Sequence, residues 1–426
     1  MRSTPSSSSL RARAWRWHFL AALVVVPFVL WQSITGTFYL WSYAAMDARH
    51  PQLRFVSPAR EHASLDAQVD AARAALPGSR IVSVVVSADP ARSTEVLFDT
   101  ARDVPAAVFV DPRDARVLGM LDAADWWPGW SRKLHGGWPL GDPGSWLLEL
   151  GASWALAMVL SGIVLWWPRR GRWWRALLPR IDAGRRVLWR DLHACLGAWS
   201  ALVVAGFLLT ALPWTAFWGG TLLRGLQQRT GQTAPSAAGF APVMHAPDGA
   251  RDARVAGLEA MLRDARARGM RGDLLLRFVD GPSAAAVSVR TQSTPANAAR
   301  FALYDRHDGA RVADAGWGDF PFVAKAVATG VDIHEGGFFG RLGPWVNTAF
   351  ALSLVLLSAA GIAAWWLRRP PGALGVPPAA AAPWPVAARW AIAALALLLP
   401  LFALSLALLW LGERAWLWSL EARKTT

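Results

Sequence analysis

The sequence predicts a mainly α-helical membrane protein with five transmembrane helices and two α+β modules outside the membrane. Three observations predict this class. Of the 426 residues, 54% are apolar and 27 are tryptophan, and several apolar runs are long enough to cross a bilayer. One long segment of the chain occurs twice. Between the apolar runs lie two polar segments in which a helical pattern is followed by strand-like patterns.

The duplicated segment covers residues 134–170 and 333–369. Counted from His135 and from His334, both copies have Gly at +2, +6, +9 and +27, Trp at +11, +31 and +32, and Arg at +34 and +35. Agreement at nine positions without a gap is not a chance match, so the segment is an internal repeat. In each copy a Gly-rich turn follows the histidine, and about twenty largely apolar residues then lead to the Trp and Arg pairs. This order predicts a membrane helix that runs from the outside to the cytoplasm, with its histidine outside.

The first half of the chain is predicted to contain two membrane helices and one outer module. Residues 1–17 are predicted to be a cytoplasmic tail, and 18–42 a first membrane helix whose apolar core is longer than that of a cleaved signal peptide. The polar segment 43–134 is predicted to be an α+β module outside the membrane. Its elements are a helix over 65–76 and strands over 81–87, 94–99 and 107–111. Residues 135–168 contain the second membrane helix, which ends at the cytoplasmic side.

The second half repeats this order. The loop 169–190 has eight arginines and one aspartate, which predicts a cytoplasmic position, and 191–218 form the third membrane helix. A second α+β module outside the membrane covers 219–333. Its predicted elements are a helix over 255–268 and strands over 274–279, 284–290 and 300–304. The remaining segments are the fourth membrane helix at 334–367, a cytoplasmic Pro/Ala linker at 368–386, a fifth membrane helix at 387–411 and an outer tail at 412–426.

Both halves enter the membrane from the cytoplasm, so they form two parallel repeats related by an axis along the membrane normal, plus one extra helix. The net charge of +14 comes largely from arginines beside apolar runs, which favours contact with the lipid bilayer over nucleic acid. The single cysteine, Cys195, excludes an intrachain disulfide. Glu149 lies near the outer end of the second membrane helix, where an interfacial position is expected rather than a proton relay.

Four histidines lie one per helix, with His18 and His193 at the cytoplasmic ends and His135 and His334 at the outer ends. A single histidine at a helix end is commonly an interfacial residue. A matched pair at each face, however, is the arrangement that two facing helices need to hold one metal or haem iron. Zinc needs three or four ligands, and no further candidate ligand clusters with these pairs. We therefore predict two b-type haems, one bound by each pair, with a single haem as the next possibility. The glycines at +2 and +6 are predicted to let the macrocycle approach the backbone.

The motifs resemble those of the PepSY-associated transmembrane family. They include the segments VDPRDARVLG at Val110–Gly119 and YDRHDGARVAD at Tyr304–Asp314, the H-x-G-x-x-x-G openings at His135 and His334, and the segment WRDLHACLG at Trp189–Gly197. The resemblance covers the chain except its fifth helix and linker. It implies that the outer modules are PepSY-like and periplasmic, in the inner membrane of a Gram-negative bacterium. It also implies a link to iron uptake, since some members act as haem-containing siderophore reductases.

The resulting functional hypothesis is an electron-transfer protein that reduces a ferric siderophore or another ferric chelate in the periplasm. No G-x-G-x-x-G follows a strand, so the electron donor is expected to be a separate reductase or a membrane quinol. A second hypothesis is a non-redox membrane protein whose PepSY modules bind or regulate a peptidase or peptide. A transporter is the third. The sequence assigns no catalytic residue beyond the four histidines proposed as iron ligands.

Overall fold

The computed structural model describes residues 7–99, 106–122, 125–137, 140–168, 173–235, 257–281, 284–292, 295–306, 308–378 and 384–425. The chain divides into two compact units. Unit 1 contains residues 1–37, 134–224 and 348–426, and unit 2 contains residues 38–133 and 225–347. The described α-helices are α1 Ser7–Arg49, α2 Pro51–Arg54, α3 Leu65–Ala75, α4 Trp127–His135, α5 Asp142–Trp166, α6 Trp173–Ala176, α7 Arg185–Ala211, α8 Arg224–Thr230, α9 Leu258–Ala267, α10 Phe322–Glu335, α11 Gly343–Trp366, α12 Val386–Leu398 and α13 Pro400–Thr425. The strands are β1 Arg80–Val86, β2 Thr94–Asp99, β3 Ala106–Val110, β4 Val117–Asp122, β5 Asp273–Gly281, β6 Ala284–Gln292, β7 Arg300–Asp305 and β8 Arg311–Gly316.

Four helical segments of the described chain are long and apolar enough to cross a membrane. They are Leu10–Arg49, Asp142–Trp166, Arg185–Trp214 and Phe322–Trp366. They correspond to the first four predicted membrane helices, so the structure and the sequence agree on a multi-pass membrane protein. Helix α1 starts at Ser7, so much of the predicted cytoplasmic tail is helical.

The predicted fifth membrane helix is broken at Leu399 in the structure. Helices α12 and α13 pass the same length and composition test only as a pair, and they are bent by 119° at the break between them. Pro400 starts α13, and a proline restricts the residue before it to non-helical conformations. Leu399 accordingly has φ −126° and ψ 83°. The carbonyl of Leu398, freed by the break, accepts a hydrogen bond of 2.9 Å from the indole of Trp218.

All eight strands of unit 2 form one antiparallel sheet with the order β4-β3-β2-β1-β5-β6-β7-β8. The sequence predicts six of them within a few residues, but as two separate small sheets. The two groups of four instead join where β1 pairs with β5, with Val84 opposite Leu276. Joining them covers one edge of each group, whose backbone groups would otherwise lack ladder partners. The two strands that the sequence did not predict are β4 and β8.

Helices α3 and α9 share one hydrophobic core with the sheet. The core contains Leu65 and Val69 from α3, and Leu258 and Met261 from α9, packed on residues of the central strands. The N-termini of the two helices cap each other. The backbone N–H of Leu65 donates to the Glu259 carboxylate at 2.9 Å, and the N–H of Leu258 donates to the Asp66 carboxylate at 2.8 Å. A carboxylate at a helix N-terminus satisfies free N–H groups and interacts favourably with the helix dipole.

Asp66→Ala is expected to destabilise unit 2 by about 1–2 kcal/mol, because it removes the carboxylate that caps α9. The residue before α9 is Gly257, which has no side chain that could cap the helix instead. Asp66 accepts from two backbone N–H groups of α9, those of Leu258 and Glu259. The measurement is the thermal unfolding of the full-length protein in detergent. The matched control is Asp70→Ala in the same helix, whose exposed carboxylate makes only a long contact with Arg73. Equal melting curves for the two variants would contradict the capping role.

The segments that carry the family resemblance in unit 2 are β-hairpins. In the first, the backbone N–H of Asp111 donates to the carbonyl of Arg116, and in the second that of Asp305 donates to Ala310. The carboxylate of Asp111 is buried, and hydrogen bonds from Arg113 hold its pKa below the usual range. Ala115 has φ 59°, a left-handed conformation that Gly309 adopts at the same place in the second hairpin with φ 73°. These motifs therefore stabilise turns between strands.

Candidate functional site

The structure brings together His18 of α1 and His193 of α7, both in unit 1. Their ring centres are 6.1 Å apart and their planes are inclined by 76°. The two imidazoles are thus close enough that they would hold one metal ion or haem iron together, as the sequence predicts for this pair.

The hydrogen bonds of His18 are consistent with a proton on Nδ1. Its Nδ1 lies 3.0 Å from the hydroxyl oxygen of Ser161. Because that hydroxyl lies 2.9 Å from the carbonyl of Met158, it can donate to this carbonyl and accept from Nδ1. Nε2 of His18 is then unprotonated, which is the state that a metal ligand requires.

His193 has the same tautomer for a simpler reason. Its Nδ1 lies 3.0 Å from the backbone carbonyl of Leu357, which can only accept a hydrogen bond. Within the described part of the chain, Nε2 of His193 has no hydrogen-bond partner. Histidines that bind metals commonly donate the other ring N–H to a carbonyl or hydroxyl in this way, which fixes the orientation of the ring.

A glycine of the internal repeat lies beside each of these two rings. A Cβ atom on Gly162 would lie 3.3 Å from Cε1 of His18, and a Cβ on Gly361 would lie 3.0 Å from Cε1 and Nδ1 of His193. These are the two glycines at +27. Without a side chain at these positions, each imidazole can approach the helix backbone of α5 or α11. The sequence showed that both glycines are repeated but did not reveal their role, because their neighbours lie more than 140 residues away.

His135, the last residue of α4, has its own contacts in unit 1. Its Nδ1 lies 3.1 Å from the hydroxyl of Thr35, which itself donates to the carbonyl of Trp31 at 2.8 Å. Thr35 therefore accepts from Nδ1–H, as Ser161 does at His18. Gly36 adjoins this ring, and a Cβ there would lie 3.1 Å from Cε1 of His135.

His334 belongs to unit 2 and lies one residue before the end of α10. Its backbone carbonyl accepts a hydrogen bond of 3.0 Å from the side-chain amide of Asn347. The pairing of His135 with His334 as ligands of a second haem stays a prediction from the sequence repeat.

The glycines at +2 contact those at +9 in each copy of the repeat. Gly137 contacts the backbone of Gly144, and Gly336 contacts the backbone of Gly343. A side chain on either member would collide with the other's backbone. Gly141 and Gly340, at +6, have φ values of 61° and 55°. These glycines thus shape the turn before each membrane helix, and access for a macrocycle stays a prediction.

Glu149 is buried in unit 1, and its carboxylate accepts a hydrogen bond of 2.9 Å from the backbone N–H of Trp218. Ser145, one turn earlier in α5, accepts from the N–H of Ala216 at 2.9 Å. Trp218 begins the helical segment Trp218–Leu223, whose first N–H groups have no partner within the segment, so α5 satisfies the N–H of Trp218. The interfacial position of Glu149 stays a prediction.

The other candidates are placed as follows. His50 and His62 lie in unit 2, and His245 and His307 lie outside the described residues. Cys195 is a buried free thiol in α7. The described residues contain no group of three or more His, Cys, Asp or Glu side chains placed to hold a metal ion.

The helices define a multi-pass membrane protein, and unit 2 adds an α+β fold with one antiparallel sheet. The family model described as the PepSY-associated TM region matches residues 15–368. The chain therefore belongs to this family, and the match ends before α12 and α13. No match to a curated protein was found.

Proposed function

We propose that this chain is a b-type haem protein that carries electrons through the membrane to a ferric siderophore or another ferric chelate. His18 and His193 hold one haem, and His135 and His334 are proposed to hold a second. When bound between two imidazoles, haem supplies a one-electron Fe(III)/Fe(II) couple. The observation that carries the proposal is the His18–His193 pair, with its short separation and its two Nδ1 hydrogen bonds.

The surrounding residues support this role by holding the ligands in place. Ser161 and the Leu357 carbonyl bind the Nδ1 protons, so each ring has one orientation and an unprotonated Nε2. Gly162 and Gly361 give the rings room at the helix backbone. A histidine that only contacts the lipid interface would need neither a fixed hydrogen bond at Nδ1 nor a glycine beside its ring.

Electron passage is tested with phospholipid vesicles that enclose ferricyanide, with dithionite outside as the reductant. Vesicles that contain the protein are expected to lose ferricyanide absorbance at least tenfold faster than empty vesicles. His193→Ala should abolish most of this rate, while His62→Ala, which alters an exposed histidine of unit 2, should leave it unchanged. A His193→Ala rate equal to wild type would contradict the proposal and favour the non-redox, peptidase-binding alternative.

We further propose that the chain lies in a bacterial inner membrane, with the 169–190 loop cytoplasmic and unit 2 periplasmic. The support is the arginine content of that loop. Because Cys195 is the only cysteine and is buried, new cysteines can be labelled selectively. In intact spheroplasts, a membrane-impermeant maleimide is expected to label Arg263→Cys strongly and Arg185→Cys only after permeabilisation. The reverse pattern would contradict the orientation.

A further inference from the structure

Three arginines of unit 2 lie near one another on different elements. Arg277 is on β5, Arg290 is on β6, and Arg132 is on α4. In the sheet, Arg277 is opposite Ser288, so Arg290 is its diagonal neighbour on the same face. Partial desolvation of its guanidinium, followed by the charges of Arg277 and Arg132, lowers the pKa of Arg290. We call these three residues the arginine cluster.

The cluster has more positive charge than its neighbours neutralise. Glu335 is the one carboxylate that acts on Arg290 together with the two arginines, which leaves an excess of two positive charges. Among the described residues, neither Arg277 nor Arg290 has a carboxylate within ion-pair distance. Both side chains are exposed. Grouping like charges is unfavourable, so such an arrangement indicates a site for an anion.

Tyr39 and Glu335 connect the arginine cluster to the residue proposed as an iron ligand. Arg132 donates a hydrogen bond of 3.3 Å to the hydroxyl of Tyr39, and its guanidinium lies over the Tyr39 ring. The hydroxyl donates in turn to the Glu335 carboxylate at 3.1 Å. Glu335 directly follows His334 in the chain. The arginine cluster is therefore linked, through Arg132 and Tyr39, to the residue that follows the proposed ligand His334.

We propose that Arg277 and Arg290, with Arg132, bind the anionic groups of the ferric chelate, so that the substrate is a negatively charged, carboxylate-bearing complex. Guanidinium groups bind carboxylates through paired charge-assisted hydrogen bonds. The inference rests on the proposed function and gives the class of its substrate. The reaction is a one-electron transfer in which the bound Fe(III) is reduced to Fe(II) and the reduced protein is oxidised.

Binding is measured separately from reduction by using gallium(III) citrate, a redox-inert analogue of ferric citrate. Isothermal titration with the oxidised full-length protein is expected to show that Arg277→Gln/Arg290→Gln binds at least tenfold more weakly than wild type. Arg277→Lys/Arg290→Lys keeps the charges and should lose less affinity than the Gln pair. Arg263→Gln, an exposed arginine of α9, serves as control and should bind as wild type. Unchanged binding by the Gln pair overturns the inference.

Reduction is then followed by mixing chemically pre-reduced protein with an acceptor in an anaerobic stopped-flow instrument. With ferric citrate, haem reoxidation by the Gln pair should be at least tenfold slower than in wild type and less sensitive to salt. With hexaammineruthenium(III), a cationic acceptor, the two proteins should react at similar rates. If wild type is reoxidised by neither acceptor, the proposed function itself fails. If the Gln pair reacts as wild type does with ferric citrate, only the substrate class fails.

Anionic lipid headgroups present similar oxyanions and are distinguished by the same variants. If Arg277 and Arg290 bind lipid, the Gln pair will bind gallium(III) citrate as wild type does. It will also co-purify with less phosphatidylglycerol from mixed phosphatidylcholine and phosphatidylglycerol membranes. That combination overturns the proposal.

Discussion

His18→Ala and His193→Ala are each expected to remove one and the same haem from the purified protein. Because the two rings lie 6.1 Å apart, both would hold the same haem, and loss of either would leave the iron with only one imidazole of the pair. If the chain binds two haems, each single variant should retain about half of the wild-type content. The double variant should retain as much haem as either single variant, because ligands that act as a unit have non-additive effects. Haem content and difference spectra provide the measurement.

The outer pair supplies an internal comparison for this experiment. The sequence repeat pairs His135 with His334, so His135→Ala should remove a different haem from the one that His193→Ala removes. Imidazole added to His193→Gly is expected to restore the low-spin spectrum, which separates a lost ligand from a misfolded protein. Loss of one and the same haem in His135→Ala and His193→Ala would show that the ligands are paired wrongly.

Gly361→Leu and Gly162→Leu are expected to lose the His18–His193 haem although neither residue is a ligand. A Cβ on Gly361 would already lie 3.0 Å from His193, so a leucine must displace the ring from the Leu357 carbonyl. The corresponding distance at Gly162 is 3.3 Å, which predicts a larger effect for Gly361→Ala than for Gly162→Ala. The measurement is again haem content, with the reduction potential of the haem retained by the alanine variants.

Gly206→Leu is the matched control for these variants. Gly206 lies in α7, as His193 does, and a Cβ there would meet no atom within 4 Å. Its replacement should leave the haem content unchanged, so a loss in all three leucine variants would indicate general damage to the membrane helices. Full haem in Gly361→Leu would contradict the placement of His193 against α11.

Local elements of the fold could be predicted because they depend on nearby residues. Strand β2 begins and ends at the predicted residues, and α3 differs from its prediction at one end by a single residue. The pairing of β1 with β5 could not be predicted, since it joins strands about 190 residues apart and no local pattern specifies that register. The bend before Pro400 was missed although proline is a known helix breaker, because the apolar composition continues across it.

The candidate site likewise combines residues that the sequence pattern reveals with contacts between residues far apart in the chain. The four histidines and the repeated glycines were visible in the sequence as matched positions. The role of Gly162 and Gly361 depends on the three-dimensional structure, in which α1 and α7 place a histidine ring beside each glycine. The hydrogen bond of Glu149 could not be predicted, because its partner, the N–H of Trp218, lies 69 residues away in the chain.

The most direct test of the central claim is the reduced-minus-oxidised absorption spectrum of the full-length protein, purified from cells supplied with ample haem. The account predicts the α and β bands of low-spin, bis-histidine b-type haem, with these bands diminished in His18→Ala and His193→Ala to the same extent. A colourless protein, or full low-spin bands in both histidine variants, would contradict the assignment of these histidines as haem ligands.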